Sequence, residues 1–316
     1  IFWIIDHMSR DEDNLDKTSI VPSDTFKIKM AKVDEAPPSI VLLMGPINQI
    51  GKQWPIVEGS YKIGRSIESD ICVDDRSVSR THAQVILEAG NVYVEDLGSS
   101  NGTEVNGIEL SAGQRIELTD NCQVKTGNVI FKYLERGNIE AVSNQASYDR
   151  SQIDGLTQIY NKRAFLDKIS ETFKRAKIMD IPLCLVVFDL DKFKSVNDTY
   201  GHRAGDFVLS ELSKLIKKQL RPGDFFARYG GEEFTLLLGG TDIKTAIDVA
   251  DRIRDLVEKH VFAFEGTELP VTVSMGVSTI TEKINNWEEL FEIGDQALYK
   301  SKENGRNQVT HLQDIE

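Results

Sequence analysis

Apolar and polar positions follow two different rhythms along the chain. Between Ser39 and Leu134, short runs rich in β-branched and aromatic residues recur, among them IVLLM, YKIG, HAQVILE, NVYVEDL and VIFKYL. Clusters of Gly, Asn, Asp and Ser separate them, and almost no segment has the length of a helix. That rhythm predicts an all-β sandwich. After Gly137 the period lengthens. RAFLDKISETFKRAK places apolar residues at 165, 166, 169 and 173, the spacing of a helix. Pro182 precedes LCLVVFDL, a buried strand, and residues 205–220 return to helical spacing until Pro222-Gly223 ends it. Residues 225–228 and 234–238 read as strands joined by a tight turn, 243–260 as a helix, 271–278 as a strand and 287–302 as a last helix.

The predicted organisation is a flexible tail over 1–38, a sandwich over 39–134, a linker helix within 135–152 and an α/β domain over 153–316. A length of 316 residues agrees with two domains, because single cores stop growing at about 250 residues. The leading IFWIIDHM is read as a remnant of expression and set aside.

Composition narrows the function. A net charge of −13 argues against general affinity for nucleic acid or anionic membrane, so an anionic ligand must meet locally placed Lys and Arg. Cys72, Cys122 and Cys184 lack CxxC spacing and sit in apolar runs, as reduced core residues of a cytoplasmic protein do. No apolar run reaches the length of a membrane span.

Carboxylates carry the chemical signal. Asp189 and Asp191 close the strand LCLVVFDLD, and Glu232 and Glu233 follow a Gly-Gly turn between two strands. If those strands neighbour each other, Asp189 and Glu232 converge at one sheet edge, where like charges need a cation. Oxygen donors select Mg²⁺ or Mn²⁺.

Four stretches of the sandwich, Gly64-Arg65-Ser66, Ser79-Arg80-Thr81-His82, Ser99-Ser100-Asn101-Gly102-Thr103 and Val105-Asn106-Gly107, together resemble a forkhead-associated (FHA) domain. The resemblance implies that Arg65 and Ser79 contact a phosphothreonine, with Arg80 and Ser100 near it and Asn101 on the peptide backbone. His82 is expected to brace the loops, and Asn106-Gly107 to form a turn that adds a peptide contact. Guanidinium and hydroxyl donors suit phosphate oxygens. Thr18, with an aliphatic residue three positions on, and Thr25, followed by Ile28, are candidate phosphorylation sites in the tail, for docking in cis or on a neighbouring chain.

The stretches DGLTQIYNKRAF, FDLDKFKSVNDTYGHRAGD, RYGGEEF, VSMGVS and ALYKSKENGRN closely resemble the GGDEF-domain diguanylate cyclases, which condense two GTP into cyclic di-GMP and two pyrophosphates. This implies a central, mainly antiparallel sheet of the nucleotide-cyclase and polymerase-palm type. It implies that Asp189, the Leu190 carbonyl and Glu232 bind metal with Glu233 assisting, and that Lys302, Arg306 and Lys194 meet the triphosphate. Asn197 and Asp206 would read guanine, with His202 near the base or bracing its loop. Glu232 is left as base or as ligand alone. Because each domain offers one GTP site, catalysis calls for a homodimer. Arg221 and Asp224, with Arg252 on the next helix, match the family's product-inhibition site. The competing reading is an idle GTP- or cyclic di-GMP-binding adaptor, against which the intact Asp189, Glu232, Glu233, Lys302 and Arg306 argue.

Overall fold

The computed structural model describes residues 33–312. Thr18, Thr25 and the leading IFWIIDHM lie outside the described residues. Eleven strands come first: β1 (Ser39–Met44), β2 (Gln53–Pro55), β3 (Gly59–Gly64), β4 (Ile71–Cys72), β5 (Ala83–Glu88), β6 (Asn91–Asp96), β7 (Thr103–Val105), β8 (Ile108–Glu109), β9 (Arg115–Glu117), β10 (Gln123–Thr126) and β11 (Val129–Leu134). They pair in two sheets, β2-β1-β11-β10-β7-β8 and β4-β3-β5-β6-β9. Period-two alternation decides which residues enter the core: in β6, Val92, Val94 and Asp96 are buried while Asn91, Tyr93 and Glu95 are not. Ile40, Ile63, Val85, Val94, Val124 and Phe131 fill the space between the sheets. The sandwich predicted from the short runs is therefore present.

Helix α1 (Ile139–Ser151) follows directly. The Asn138 side chain caps it by accepting from the Glu140 amide at 2.8 Å. Ala141 seats it against Val41 and Leu134 of the sandwich.

The remaining elements are β12 (Tyr160–Asn161), α2 (Lys162–Met179), β13 (Leu183–Leu190), α3 (Phe193–Tyr200), α4 (His202–Lys217), β14 (Phe225–Gly230), β15 (Glu233–Gly239), α5 (Ile243–Lys259), β16 (Phe262–Phe264), β17 (Thr267–Leu269), β18 (Val273–Thr279), α6 (Trp287–Glu303) and β19 (Val309–His311). One sheet runs β12-β14-β15-β13-β18-β19. Its inner pairs are antiparallel and its two edge pairs parallel, matching the mainly antiparallel sheet expected. Helices cover both faces. Cys184, Val186 and Phe188 of β13 pack with α3, α4 and α5, whereas Leu183, Leu185 and Val187 pack with α2 and α6. All eight positions of β13 are buried, as a central strand covered on two sides must be.

Two differences from the sequence reading have local causes. The helix expected from Gly205 begins at His202 and is preceded by a separate helix, α3, because Gly201 adopts φ +85° and breaks the run between them. The β16–β17 hairpin and β19 consist of three-residue strands, too short for alternation to register.

Helix α2 also meets the sandwich. Lys52 pairs with Asp167 at 3.1 Å, Lys174 with Asp74 at 2.8 Å, and Arg163 donates to the carbonyls of Asn48 and Ile50. Asp74 belongs to the same β4–β5 connection as Ser79 and Arg80.

Strand β18 and helix α6 approach each other closely, backbone to backbone. A Cβ on Gly276 would lie 2.1 Å from the Gly294 carbonyl and 2.2 Å from the Leu298 amide. Gly294 in turn faces Val187 and Ser278 closely. The helix rests on the strand because neither glycine carries a side chain. G276A should therefore lower the unfolding free energy of the full chain by about 3 kcal/mol in denaturant titrations, the upper part of the range for overpacking. A loss below about 1 kcal/mol would show that the helix stands off the strand.

Candidate functional site

Asp189, the penultimate residue of β13, lies on the face that carries α6, since it continues the odd-numbered series Leu183, Leu185 and Val187. Antiparallel pairing sets it opposite Glu233, the first residue of β15. The Leu190 amide points at the Glu232 carbonyl at 3.4 Å, so the Gly231-Glu232 turn closes over the end of β13. Lys302, near the end of α6, donates to Asp189 Oδ2 at 2.8 Å. Burial pushes the Asp189 carboxyl up to about 6. The Lys302 hydrogen bond and charge oppose that rise, and Glu232 and Glu233 add to it. Asp189 thus stands across the ladder from Glu233, beside the turn that carries Glu232, and Lys302 sits on Asp189 itself.

A hard divalent cation fits this donor set. The oxygens are carboxylates and a main-chain carbonyl, and the site already draws a cation, the Lys302 ammonium. Among the described residues no three His, Cys, Asp or Glu side chains are grouped so as to hold a metal ion by themselves. An ion here would be completed by a carbonyl and a ligand's own oxygens, the usual case for Mg²⁺.

The turn is braced from below. Gly231 supplies φ +50°. Arg228 donates through Nε and Nη2 to the Gly231 carbonyl at 2.9 and 2.8 Å, and through Nη1 to Asp154 at 3.1 Å. Asp154 also accepts from the Thr157 amide and hydroxyl at 2.8 and 2.7 Å. Burial alone would push the Asp154 carboxyl up, but the Thr157 hydrogen bonds and Arg228 outweigh it and hold the carboxyl below its usual range.

Asn197 lies in α3, half-buried, and approaches α4 where Gly205 has no Cβ: one placed there would meet Asn197 Oδ1 at 2.0 Å. Asp206, one residue on, is exposed on the same helix. His202 is exposed at the first position of α4, and Lys194 is exposed in α3. Arg306 is exposed beyond α6.

Arg221 folds back on its own turn. Its Nε donates to Asp224 Oδ1 at 3.0 Å, its amide to Asp224 Oδ2 at 3.1 Å, and its Nη2 to the Gly239 carbonyl at 3.1 Å. Both oxygens of Asp224 are engaged. Arg252 is exposed on α5 and shares no hydrogen bond with either residue among those described.

In the sandwich, Arg65 and Ser79 are brought together: the Arg65 amide donates to the Ser79 carbonyl at 3.0 Å, and Ser79 Oγ accepts from the Ser100 amide at 3.1 Å. Arg80 is exposed beside them. His82 is fully buried. Its Nδ1 accepts from the Ser79 amide at 3.0 Å, which leaves Nε2 to donate to the Gly102 carbonyl at 2.9 Å. It braces two loops, as expected. The Asn101 side-chain amide donates to the Ser77 carbonyl at 2.8 Å, so part of its capacity serves the loops themselves. Asn106 and Gly107 have φ +50° and +82° and form the turn expected of them. The Asn106 side chain, however, is bonded to the Gln123 amide and the Cys122 sulfur, facing the sheet.

Sequence reasoning missed three bracing carboxylates: Asp154, Asp191 and Asp96. Asp96 is 3% exposed and accepts from the Gly98 and Ser99 amides and from the hydroxyls of Ser99 and Thr103. It fixes the loop that carries Ser100 and Asn101. A carboxylate at an inward position of an alternating strand was the available signal.

Two family models match the chain, "Diguanylate cyclase, GGDEF domain" over residues 151–308 and "FHA domain" over residues 61–127. Diguanylate cyclase A of Treponema denticola is 39% identical over 204 residues, 64% of this chain and 55% of that protein. A diguanylate cyclase of Vibrio cholerae is 38% identical over 160 residues, 51% of this chain and 49% of its own length. The chain therefore spans about half the length of these curated relatives. The crystal structure of the coiled coil and GGDEF domain of DgcB from Caulobacter crescentus, in complex with c-di-GMP, superposes with a TM-score of 0.52 at 31% identity, covering 55% of this chain and 93% of that one.

The Asp154–Arg228 brace has a pH signature. A carboxyl held below its unfolded value contributes stability that is present above about pH 4 and is lost as pH falls through the depressed value. The stability gap between wild type and D154N should be widest near neutral pH and close on acidification below about pH 4. R228A should cost about 2 kcal/mol at neutral pH, the scale of charged hydrogen bonds lost. A D154N gap independent of pH in denaturant titrations would refute the brace.

Proposed function

The chain belongs to the diguanylate cyclase GGDEF family and carries an FHA domain in the same polypeptide, and on that premise we propose that it condenses two GTP into cyclic di-GMP and two pyrophosphates under control of phosphothreonine recognition. The observation that carries the cyclase reading is the cation already drawn to the carboxylates: Lys302 on Asp189, beside Glu232 and Glu233. A cluster that recruits an ammonium is suited to a cation-bound polyphosphate.

Two chains bring two nucleotides face to face, and the 3′-hydroxyl of each attacks the α-phosphorus of the other. In each step a P–O bond to pyrophosphate breaks, a phosphodiester forms, and the hydroxyl proton passes to a carboxylate of the turn. Glu232 is the half-buried one of that pair. Mg²⁺ or Mn²⁺, held by Asp189, the Leu190 carbonyl and Glu232 with Glu233 assisting, would polarise the phosphoryl oxygens. Lys302, Arg306 and Lys194 offset the charge of the departing pyrophosphate. Asp206 and Asn197 select guanine, because a carboxylate accepts from the N1–H and N2–H₂ edge that adenine does not offer. His202 braces that loop.

Arg65, Ser79, Arg80 and Ser100 grip the phosphate of a threonine peptide, and Asn101 holds its backbone. Thr18 and Thr25 of the chain's own tail are the candidate ligands. Arg221, Asp224 and Arg252 bind the product as a brake. Seating it requires the Arg221 side chain to leave Asp224, a switch the existing intramolecular bonds oppose.

Incubating the full chain with GTP and Mg²⁺ and resolving products by chromatography tests this reading. Cyclic di-GMP should form, D189N should lower the rate at least about 10³-fold, and R221A should retain synthesis while losing inhibition by added product. R65A should abolish binding of a tail peptide phosphorylated at Thr18 or Thr25. Absence of cyclic di-GMP, with and without phosphorylated tail, would contradict the enzyme and favour the adaptor.

A further inference from the structure

We propose that Asp191 is a positioning residue that aims Arg306 at the nucleotide's phosphates by anchoring the main chain of Asn307; this rests on the cyclase reading above. By spacing, Asp191 looks like a partner of Asp189 at the metal site, two residues along the same strand end. Its hydrogen bonds assign it elsewhere. It is 8% exposed, with Oδ1 accepting from the Ser274 hydroxyl at 2.6 Å and Oδ2 from the Thr272 hydroxyl at 2.7 Å and the Asn307 amide at 3.0 Å. Its own amide donates to the Thr272 carbonyl at 2.9 Å. Donors on β18 and the segment before it seat the carboxylate, and its remaining bond reaches across to the chain beyond α6.

That chain needs holding. Gly305, Arg306 and Asn307 have φ of +114°, +68° and +46°, three consecutive residues in the left-handed half of the map, two of them not glycine. Such conformations persist only where surrounding contacts fix them. The Arg306 amide is tied back to the Ser301 carbonyl at 2.9 Å, which fixes the upstream side. On the downstream side the anchor is Asp191 on the Asn307 amide. The Asn307 side chain is clamped by Glu258 and Arg254 of α5, at 2.8 and 3.2 Å. Between these ties the Arg306 side chain is exposed and makes no hydrogen bond or ion pair to another described residue. It lines a cavity of about 420 Å³ together with Lys192, Ser195, Thr272 and Gly305. Asp191 lines the same cavity, but its carboxylate oxygens are taken by protein donors, so it acts through geometry: it directs a cation toward an anionic ligand.

The test is a double-mutant cycle on the full chain, with cyclic di-GMP formation measured against GTP concentration. D191N replaces the acceptor that the Asn307 amide has among the described residues with a group that cannot satisfy all three donors. It should lower kcat/KM about 30-fold, mostly through KM, the scale expected when a positioning contact shifts by a fraction of an ångström. R306A should show a comparable loss, and adding D191N to R306A should cost less than about twofold more. A purely structural role would instead lower kcat and thermal stability together and add its full cost in the R306A background; that additive result overturns the proposal. If D191N does not fold, S274A, which loosens the seat of the same carboxylate, enters the same cycle with an expected KM rise of about threefold that vanishes with R306A. A persisting rise overturns the proposal equally. A wild-type chain that makes no cyclic di-GMP overturns the cyclase reading and this inference with it, whereas additivity in an active enzyme overturns this inference alone.

Discussion

Everything in the α/β domain depends on the cost of holding carboxylates together at the end of a buried strand. Asp189 is nearly covered, and Glu232 and Glu233 stand at the turn facing it, so the site is stable only with a cation in reach. The Lys302 ammonium meets that need, and it can do so because α6 lies directly on β18. The absence of side chains at Gly276 and Gly294 thus has a chemical consequence several residues away. It sets the depth at which Lys302 enters the carboxylate cluster.

The same logic explains why so many charged and polar side chains here bond to main chain and not to a ligand. Arg228 holds the Gly231 carbonyl, Asp191 the Asn307 amide, Asp96 the amides of Gly98 and Ser99, and His82 the Ser79 amide. Each fixes a loop at or beside a proposed ligand contact: Glu232, Arg306 and Ser100 adjoin the bonded residue, and Ser79 is itself bonded. Rigid supports on strands and helix ends allow exposed loops to present charged groups in defined directions.

Much of this was legible from the amino-acid order. Alternation in NVYVEDL and the unbroken apolar run of LCLVVFDL predicted the sandwich and the central strand, because burial on one or two faces writes directly into residue type. Motif order located Asp189, Glu232, Glu233 and the paired Arg65 and Ser79. What escaped was whatever depends on tertiary partners. Nothing near Asp191 in sequence reveals that Asn307 will reach it, and nothing near Arg221 shows that it will fold back onto Asp224 and the Gly239 carbonyl. Asn101 and Asn106 commit their side-chain amides to other segments for the same reason, since those partners lie far away in sequence.

We propose that the carboxylates at the end of β13 hold a nucleotide through a divalent cation. Equilibrium binding of GTP to the full chain, titrated across Mg²⁺ by calorimetry with a non-hydrolysable analogue, tests it most directly. Affinity should rise with the ion in wild type and be insensitive to it in D189N. Ion-independent binding in wild type, or an unchanged ion dependence in D189N, would contradict it.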